Sequence, residues 1–199
     1  MTLDATVRAV QAKLGVTVDG NPGPQTWNAI YRSIVGELPT ATNTTTLADE
    51  RSERNIVTLL PQVQPLARAL VESAAAIGIA IKVISGTRTY EEQNALYEQG
   101  RTKPGRVVTN ARGGYSNHNF GIAFDIGVFE GGRYLDESPA YKAVGALGMK
   151  LGLEWGGNWK TTQDEPHFQL RPSWAREMSE RDMLAELRRR TTVQAPLFA

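Results

Sequence analysis

The chain of 199 residues holds only two histidines, and each has carboxylates close by. His118 lies in SNHNFGIAFDIGVF, residues 116–129, ahead of Asp125. His167 lies in QDEPHFQL, residues 163–170, just after Asp164 and Glu165. Two imidazoles and one carboxylate from separate segments make a three-ligand set. Catalytic zinc is held in this way, with the fourth position left for water. Such a water can fall to a pKa near ~7 and become a nucleophile, and a further acid nearby would take its proton. The competing reading is two ordinary hydrogen-bonded His–carboxylate pairs, and composition alone does not choose between them.

The elements around these residues decide whether they can meet. Phe120, Ile122, Phe124, Ile126 and Val128 alternate, which predicts a half-buried strand with its apolar set on one face. Asp125 falls on the other face between Ala123 and Gly127, whose small side chains should leave open space above the carboxylate. His118 precedes the alternating run, so a loop would have to turn it back over the strand. In the second segment Pro166 interrupts regular pairing; beyond it Phe168 and Leu170 should face the core and His167 the other side. Alternation would also put Glu165 on the His167 side, but Pro166 weakens that argument, so Asp164 and Glu165 both stand as candidate bases.

The rest of the chain predicts an α+β protein with an antiparallel sheet, preceded by a small helical module. Val7, Val10 and Leu14 share one helical face that ends at Gly15. VDGNPGPQ is turn chemistry, and a second helix should follow with Trp27, Ile30 and Ile34 on one face. Residues 1–36 are thus a helical module, and the Thr-rich residues 37–50 a linker. A second domain spans 51–172. It contains a helix through Leu66, Leu70 and Ala74 that stops at Gly78, and a strand at 79–84. A helix capped by Thr89 and Glu92 runs through Gln99, and another starts at Ser138 and Pro139 with Tyr141, Val144, Leu147 and Leu151 inward. Strands are expected at 153–155 and 167–170. Residues 173–199 form a C-terminal helix, from Ser173 to about Arg190, and a tail that docks on the domain through Met183, Leu184 and Leu187.

The bulk numbers narrow the function. There is no cysteine, which excludes disulfides, thiolate metal sites and a cysteine nucleophile, so any metal must use His and carboxylate. The formal net charge is +1 with no long basic tract, which gives no sign of a nucleic-acid partner. No apolar run approaches the ~20 residues that span a bilayer. MTLDATVRAVQAKLG lacks the charged and apolar regions of a secretory signal, so synthesis in the cytosol is expected.

These motifs resemble a known family. Ser116, His118, Gly121, Ala123 and Asp125 reproduce S-x-H-x-x-G-x-A-x-D, and Asp164 and His167 reproduce D-x-x-H. Together with SGTRTYEEQNALYEQGRTKPGRVVTNA upstream, residues 51 to 170 resemble phage L-alanyl-D-glutamate peptidases and VanY-type D-Ala-D-Ala carboxypeptidases. The resemblance implies the zinc-peptidase fold shared with hedgehog domains. It implies zinc ligands His118, Asp125 and His167, a catalytic carboxylate Asp164 in preference to Glu165, and Arg88 acting on substrate or oxyanion. Ser116 and Gln93 match further positions near the site. VQAKLGVTVDGNPGPQTWNAI resembles a peptidoglycan-binding module, with Asp19, Gly20, Gly23, Pro24, Thr26 and Trp27 at its core; a helical hairpin packed on the catalytic domain is the other reading. The resemblance implies a monomeric endolysin that cuts the L-Ala–D-Glu bond of peptidoglycan after release from the host cytoplasm, without stable membrane insertion. A D-Ala-D-Ala carboxypeptidase, or a non-catalytic wall-binding protein that keeps zinc as structure, are the alternatives.

Overall fold

The computed structural model describes residues 2–22, 26, 29–30, 33–34 and 48–198. They fall in two compact units, Met1–Thr45 and Thr46–Ala199. In the first unit helix α1 spans Leu3–Leu14. Thr2 caps its start by accepting from the Ala5 N–H, and Gly15 ends it in the left-handed region at φ 69°. The buried residue of this helix is polar. The Gln11 side chain donates to Asp19 Oδ1, the Asn21 carbonyl and Thr26 Oγ1, and accepts from the Gly20 N–H. One amide thereby pins the Asp-Gly turn to the helix. Ile34 is exposed rather than set on a buried face. Gly23, Pro24, Trp27 and the Thr-rich stretch to residue 47 lie outside the described residues.

The second unit is built on an antiparallel sheet. Its elements in chain order are α2 (Glu50–Ile56), α3 (Gln64–Ala76), β1 (Ala80–Ser85), α4 (Tyr90–Glu98), β2 (Ala123–Glu130), β3 (Arg133–Leu135), α5 (Ala140–Lys150), β4 (Glu154–Trp155), β5 (His167–Gln169) and α6 (Glu180–Thr192). The sheet order is β1-β2-β5-β4, with β3 also paired to β2. β5 pairs with residues 123–125 of β2 and β3 with residues 128–130, on the edge away from β1. Phe124, Ile126 and Val128 of β2 face a core that also holds Ile56, Val63, Ala67, Leu70, Val83, Tyr141, Val144 and Phe168. Helices α2, α3 and α5 therefore cover one face of the sheet. The opposite face carries Asp125 and His167.

Two local expectations change. The alternating run does not continue as one strand: Asn117–Phe120 form a 3-10 turn closed by Gly121 at φ 67°, and β2 starts at Ala123. Phe120 and Ile122 leave the sheet core and join Ala175, Met183, Leu184 and Leu187 in a second cluster. The open space expected above the Asp125 carboxylate is present as a cavity that Asp125 lines, while the Tyr134 ring covers Gly127, where an added Cβ would meet it at 2.8 Å. The C-terminal helix does not begin at Ser173. A short 3-10 turn, Ser173–Ala175, precedes α6, whose N-cap is Ser179 accepting from the Asp182 N–H. Helix α2 and strand β3 had no counterpart in the sequence reading. The tail docks as expected: the Trp174 Nε1–H donates to the Leu197 carbonyl, and Phe198 packs on both clusters.

Candidate active site and metal centre

Asp125 and His167 face each other because β2 and β5 pair in register at these two residues. Directly opposed residues of an antiparallel pair have Cβ atoms about 4.5–5.5 Å apart, so their side chains meet above the sheet. His118 reaches the same point from the 3-10 turn. Its backbone carbonyl accepts from the Arg88 N–H at 3.0 Å, and this ties the turn to the end of β1. His118 Nε2 lies 3.2 Å and His167 Nδ1 3.3 Å from Asp125 Oδ1. One atom from each of the three residues lies within 4.8 Å of the others. The rings cross edge to face at 5.1 Å, and both histidines are buried, at 3% and 5% exposure.

Second partners decide which nitrogen each imidazole offers. His118 Nδ1 is 2.8 Å from the Gly86 carbonyl, which can only accept, so Nδ1 carries the proton and Nε2 presents a lone pair. His167 Nε2 is 3.0 Å from Gln169 Oε1, which leaves Nδ1 as the free lone pair. Both free lone pairs converge on the side of Asp125. Metal-binding histidines are typically oriented by such hydrogen bonds on the other ring nitrogen. The donor set of two neutral imidazoles and one carboxylate is the borderline N/O set that suits zinc. Zinc is the cofactor these residues fit.

Asp125 is held well below the usual carboxylate range. Burial pushes it up, but the charge of and hydrogen bonds from His118 and His167 outweigh burial. His167 is raised: burial opposes its protonation, and the Asp125 carboxylate overcomes that. Arg88 Nη2 donates to Asp125 Oδ2 at 2.6 Å, and Nη2 and Nε both donate to Ser85 Oγ. A register shift between Val83 and Ser85, opposite β2, aims Ser85 at this guanidinium. Gln93 is fully buried; its Oε1 accepts from Arg88 Nη1 and its Nε2 donates to the Ala111 carbonyl.

A cavity of about 290 Å³ opens on this cluster, lined by His118, Asp125, His167, Asp164, Arg88 and Trp159 among others. Asp164 is on its wall. Burial and the charge of Asp125 raise its carboxyl above the ordinary value. Glu165 is not among the lining residues; its backbone carbonyl instead accepts from Trp155 Nε1 at 2.7 Å. Ser116 also lines the cavity, whereas Gln93 stands behind Arg88. Of the N-terminal residues singled out from sequence, Asp19, Gly20 and Thr26 meet around Gln11 in the other unit.

Several residues at this site gave no signal in the sequence. Trp159 packs its ring 4.8 Å from that of His167. A Cβ on Gly156 would come within 2.5 Å of the Asp164 carbonyl and 3.0 Å of His167 Cβ, so only glycine lets the two segments approach. Asn117, Gln169 and Glu180 connect behind His167. Only the glycine's position, just after a strand-like run, was a cue that could have been read.

A family described as D-alanyl-D-alanine carboxypeptidase matches residues 109–170. The chain is 38% identical over 127 residues to the peptidoglycan L-alanyl-D-glutamate endopeptidase CwlK of Bacillus subtilis (strain 168), a match covering 58% of this chain and 75% of that protein. It is 31% identical over 124 residues to the L-alanyl-D-glutamate peptidase of Listeria phage A118, covering 60% of this chain and 41% of that protein. The crystal structure of the Serratia marcescens L-Ala D-Glu endopeptidase ChiX aligns with a TM-score of 0.49 at 26% identity, over 61% of this chain and 87% of that one. The chain belongs to this family of metallopeptidases.

Proposed function

We propose that the protein is a zinc endopeptidase that hydrolyses the L-Ala–D-Glu bond of peptidoglycan stem peptides. It acts as a monomeric, phage-type endolysin on the cell wall. The observation that carries this reading is the convergence on one cavity of His118, Asp125 and His167 with a second carboxylate, Asp164. A site that held zinc only as structure would have no use for that acid. The identities to the CwlK endopeptidase and to the phage peptidase support the choice of bond.

His118 Nε2, Asp125 and His167 Nδ1 would hold the metal. When bound, zinc lowers the pKa of water and polarises a carbonyl as a Lewis acid. Asp164 supplies the proton transfers: burial and the neighbouring Asp125 make it a stronger base than a free aspartate, suited to take a proton from water and return it to the leaving amine. Arg88 orients Asp125 through its hydrogen bond to Oδ2 and adds positive charge to the cavity wall, which suits an anionic peptide. Gln93 and Ser85 hold the guanidinium in place. The first unit, with its turn pinned by Gln11, would bind the wall and raise the local enzyme concentration there.

The matched family's description favours a second reading, a D-Ala-D-Ala carboxypeptidase on the same site. Mass spectrometry of purified peptidoglycan digested with the protein separates the two. New N-terminal D-Glu is the expected product. Released D-Ala with no new D-Glu terminus would replace the endopeptidase with the carboxypeptidase.

A further inference from the structure

We propose that Glu180, the first residue of the C-terminal helix, is a positioning residue for the metal centre, acting through Asn117 and Gln169 on His167. The inference rests on the reading of His167 as a zinc ligand. Its basis is a run of hydrogen bonds whose directions the chemistry dictates. Arg171 lies between two carboxylates, donating from Nε to Glu154 Oε1 and from Nη2 to Glu180 Oε2 at 2.7 Å. A carboxylate only accepts, so each amide that touches one must present its nitrogen. Gln169 Nε2 therefore donates to Glu154 Oε2 at 2.7 Å, and Asn117 Nδ2 donates to Glu180 Oε1. Asn117 Nδ2 also donates to Gln169 Oε1 at 2.6 Å.

The result fixes one atom. Gln169 Oε1 is committed as an acceptor facing His167 Nε2, so that nitrogen carries the ring proton and Nδ1 offers its lone pair beside Asp125. If the Gln169 amide rotated, its NH₂ would face Nε2, and the neutral ring's proton would move to Nδ1, where it blocks ligation. Glu154 and Asn117 prevent the rotation from two sides, and Glu180 holds Asn117. Among the described residues, Asn117 Oδ1 is buried without a hydrogen-bond partner. The amide is thus oriented by what its nitrogen must reach, at the expense of its own oxygen.

Glu180 reaches this place because α6 docks through Met183, Leu184 and Leu187 on Phe120, the last residue of the turn that carries His118, and on Ile122 just beyond it. Glu180 and Leu184 also line the cavity. The C-terminal helix is therefore a working part of the site, although it lies beyond the residues matched to the family, 109–170.

The test uses the full chain and zinc itself. Zinc affinity is measured by competition with a chromogenic chelator at neutral pH, and thermal unfolding is followed on the metal-free protein. Glu180→Ala and Gln169→Ala should each weaken zinc binding ~10-fold or more, the usual consequence of losing an outer partner of a metal-binding histidine. In the Gln169→Ala background, Glu180→Ala should add almost nothing, because its route to His167 is already cut. Leu187→Ala, which loosens the helix's packing but keeps Glu180 and every hydrogen-bonding side chain, should lower the unfolding temperature and weaken zinc binding less than Glu180→Ala does. Additive effects of the two polar substitutions, or equal loss of affinity in Leu187→Ala, would overturn the positioning role. Unchanged affinity in Glu180→Ala would do the same. A parent protein that binds no zinc would instead remove the ligand assignment itself, so the two failures are distinct.

Discussion

Replacing Asp164 by Asn should separate chemistry from metal binding and from stability. The amide keeps the shape of the side chain but cannot take up a proton. General acid–base groups contribute roughly 10²–10⁴-fold, which is about 2.7–5.4 kcal/mol of barrier at 1.36 kcal/mol per decade. Turnover on a soluble muropeptide should fall within that range. Zinc content should persist, because Asp164 makes no side-chain hydrogen bond to His118, Asp125 or His167 among the described residues. Stability should move the other way. The Asp164 carboxyl is raised by burial and by the charge of Asp125. A carboxyl whose folded pKa exceeds its unfolded one stabilises the fold fully below the unfolded value, and that stabilisation is lost as pH rises through the folded value. At neutral pH the ionised Asp164 is thus a burden on the metal-free protein, and Asp164→Asn should unfold at the same or a higher temperature. Glu165→Gln should stay within about threefold of parental turnover, since Glu165 is not on the cavity wall and such surface changes are usually small. The assays are muropeptide turnover by chromatography, elemental analysis and calorimetric unfolding on the same preparations. If Glu165→Gln proves the more damaging change, or if Asp164→Asn loses its zinc, the assignment of the base is wrong.

Three further outcomes are expected. The raised His167 and lowered Asp125 describe one interaction: its stabilisation of the metal-free protein is lost as pH rises through the raised His167 value, and lost again as pH falls through the lowered Asp125 value. Zinc requires both histidines neutral, so the rise in unfolding temperature on adding zinc should grow from mildly acidic to mildly alkaline pH; a rise independent of pH would contradict these ligands. Gly156→Ala should reduce turnover more than it reduces stability, because the added Cβ must displace the Asp164 carbonyl or His167 Cβ, as paired activity and unfolding measurements would reveal. A chain beginning near residue 48 should still fold, bind zinc and cleave soluble muropeptides, yet clear whole walls less well than the full chain in a turbidity assay. Equal loss of both activities would mean that the first unit does more than tether.

The parts of the site legible in the sequence were those with local signatures. His118, Asp125 and His167 stood out because histidine is so scarce and the surrounding residues are so patterned. Thr89 and Glu92 announced their capping box four residues ahead of Gln93, and the structure has it. The preference for Asp164 over Glu165 came from resemblance, since Pro166 disrupts the alternation that local reasoning would use. What was hidden depends on contacts between residues distant in sequence. The covering of Gly127 by the Tyr134 ring requires knowing that β3 returns along β2. Gln169 looked like one polar residue in a short strand; its place behind His167 is a matter of strand face, and its orientation depends on Glu154, Asn117 and Glu180 from three other segments. The alternating run misled because hydrophobic spacing alone cannot distinguish a strand from a strand preceded by a turn whose apolar residues serve a second core.

The most direct test of the central claim is diffraction from crystals of the zinc-loaded protein, with data collected on both sides of the zinc absorption edge. The account predicts one strong anomalous peak in the second unit, bounded by His118 Nε2, Asp125 Oδ1 and His167 Nδ1, with the Asp164 carboxylate facing the same cavity. A zinc peak elsewhere, or ligation through His118 Nδ1 or His167 Nε2, would contradict it.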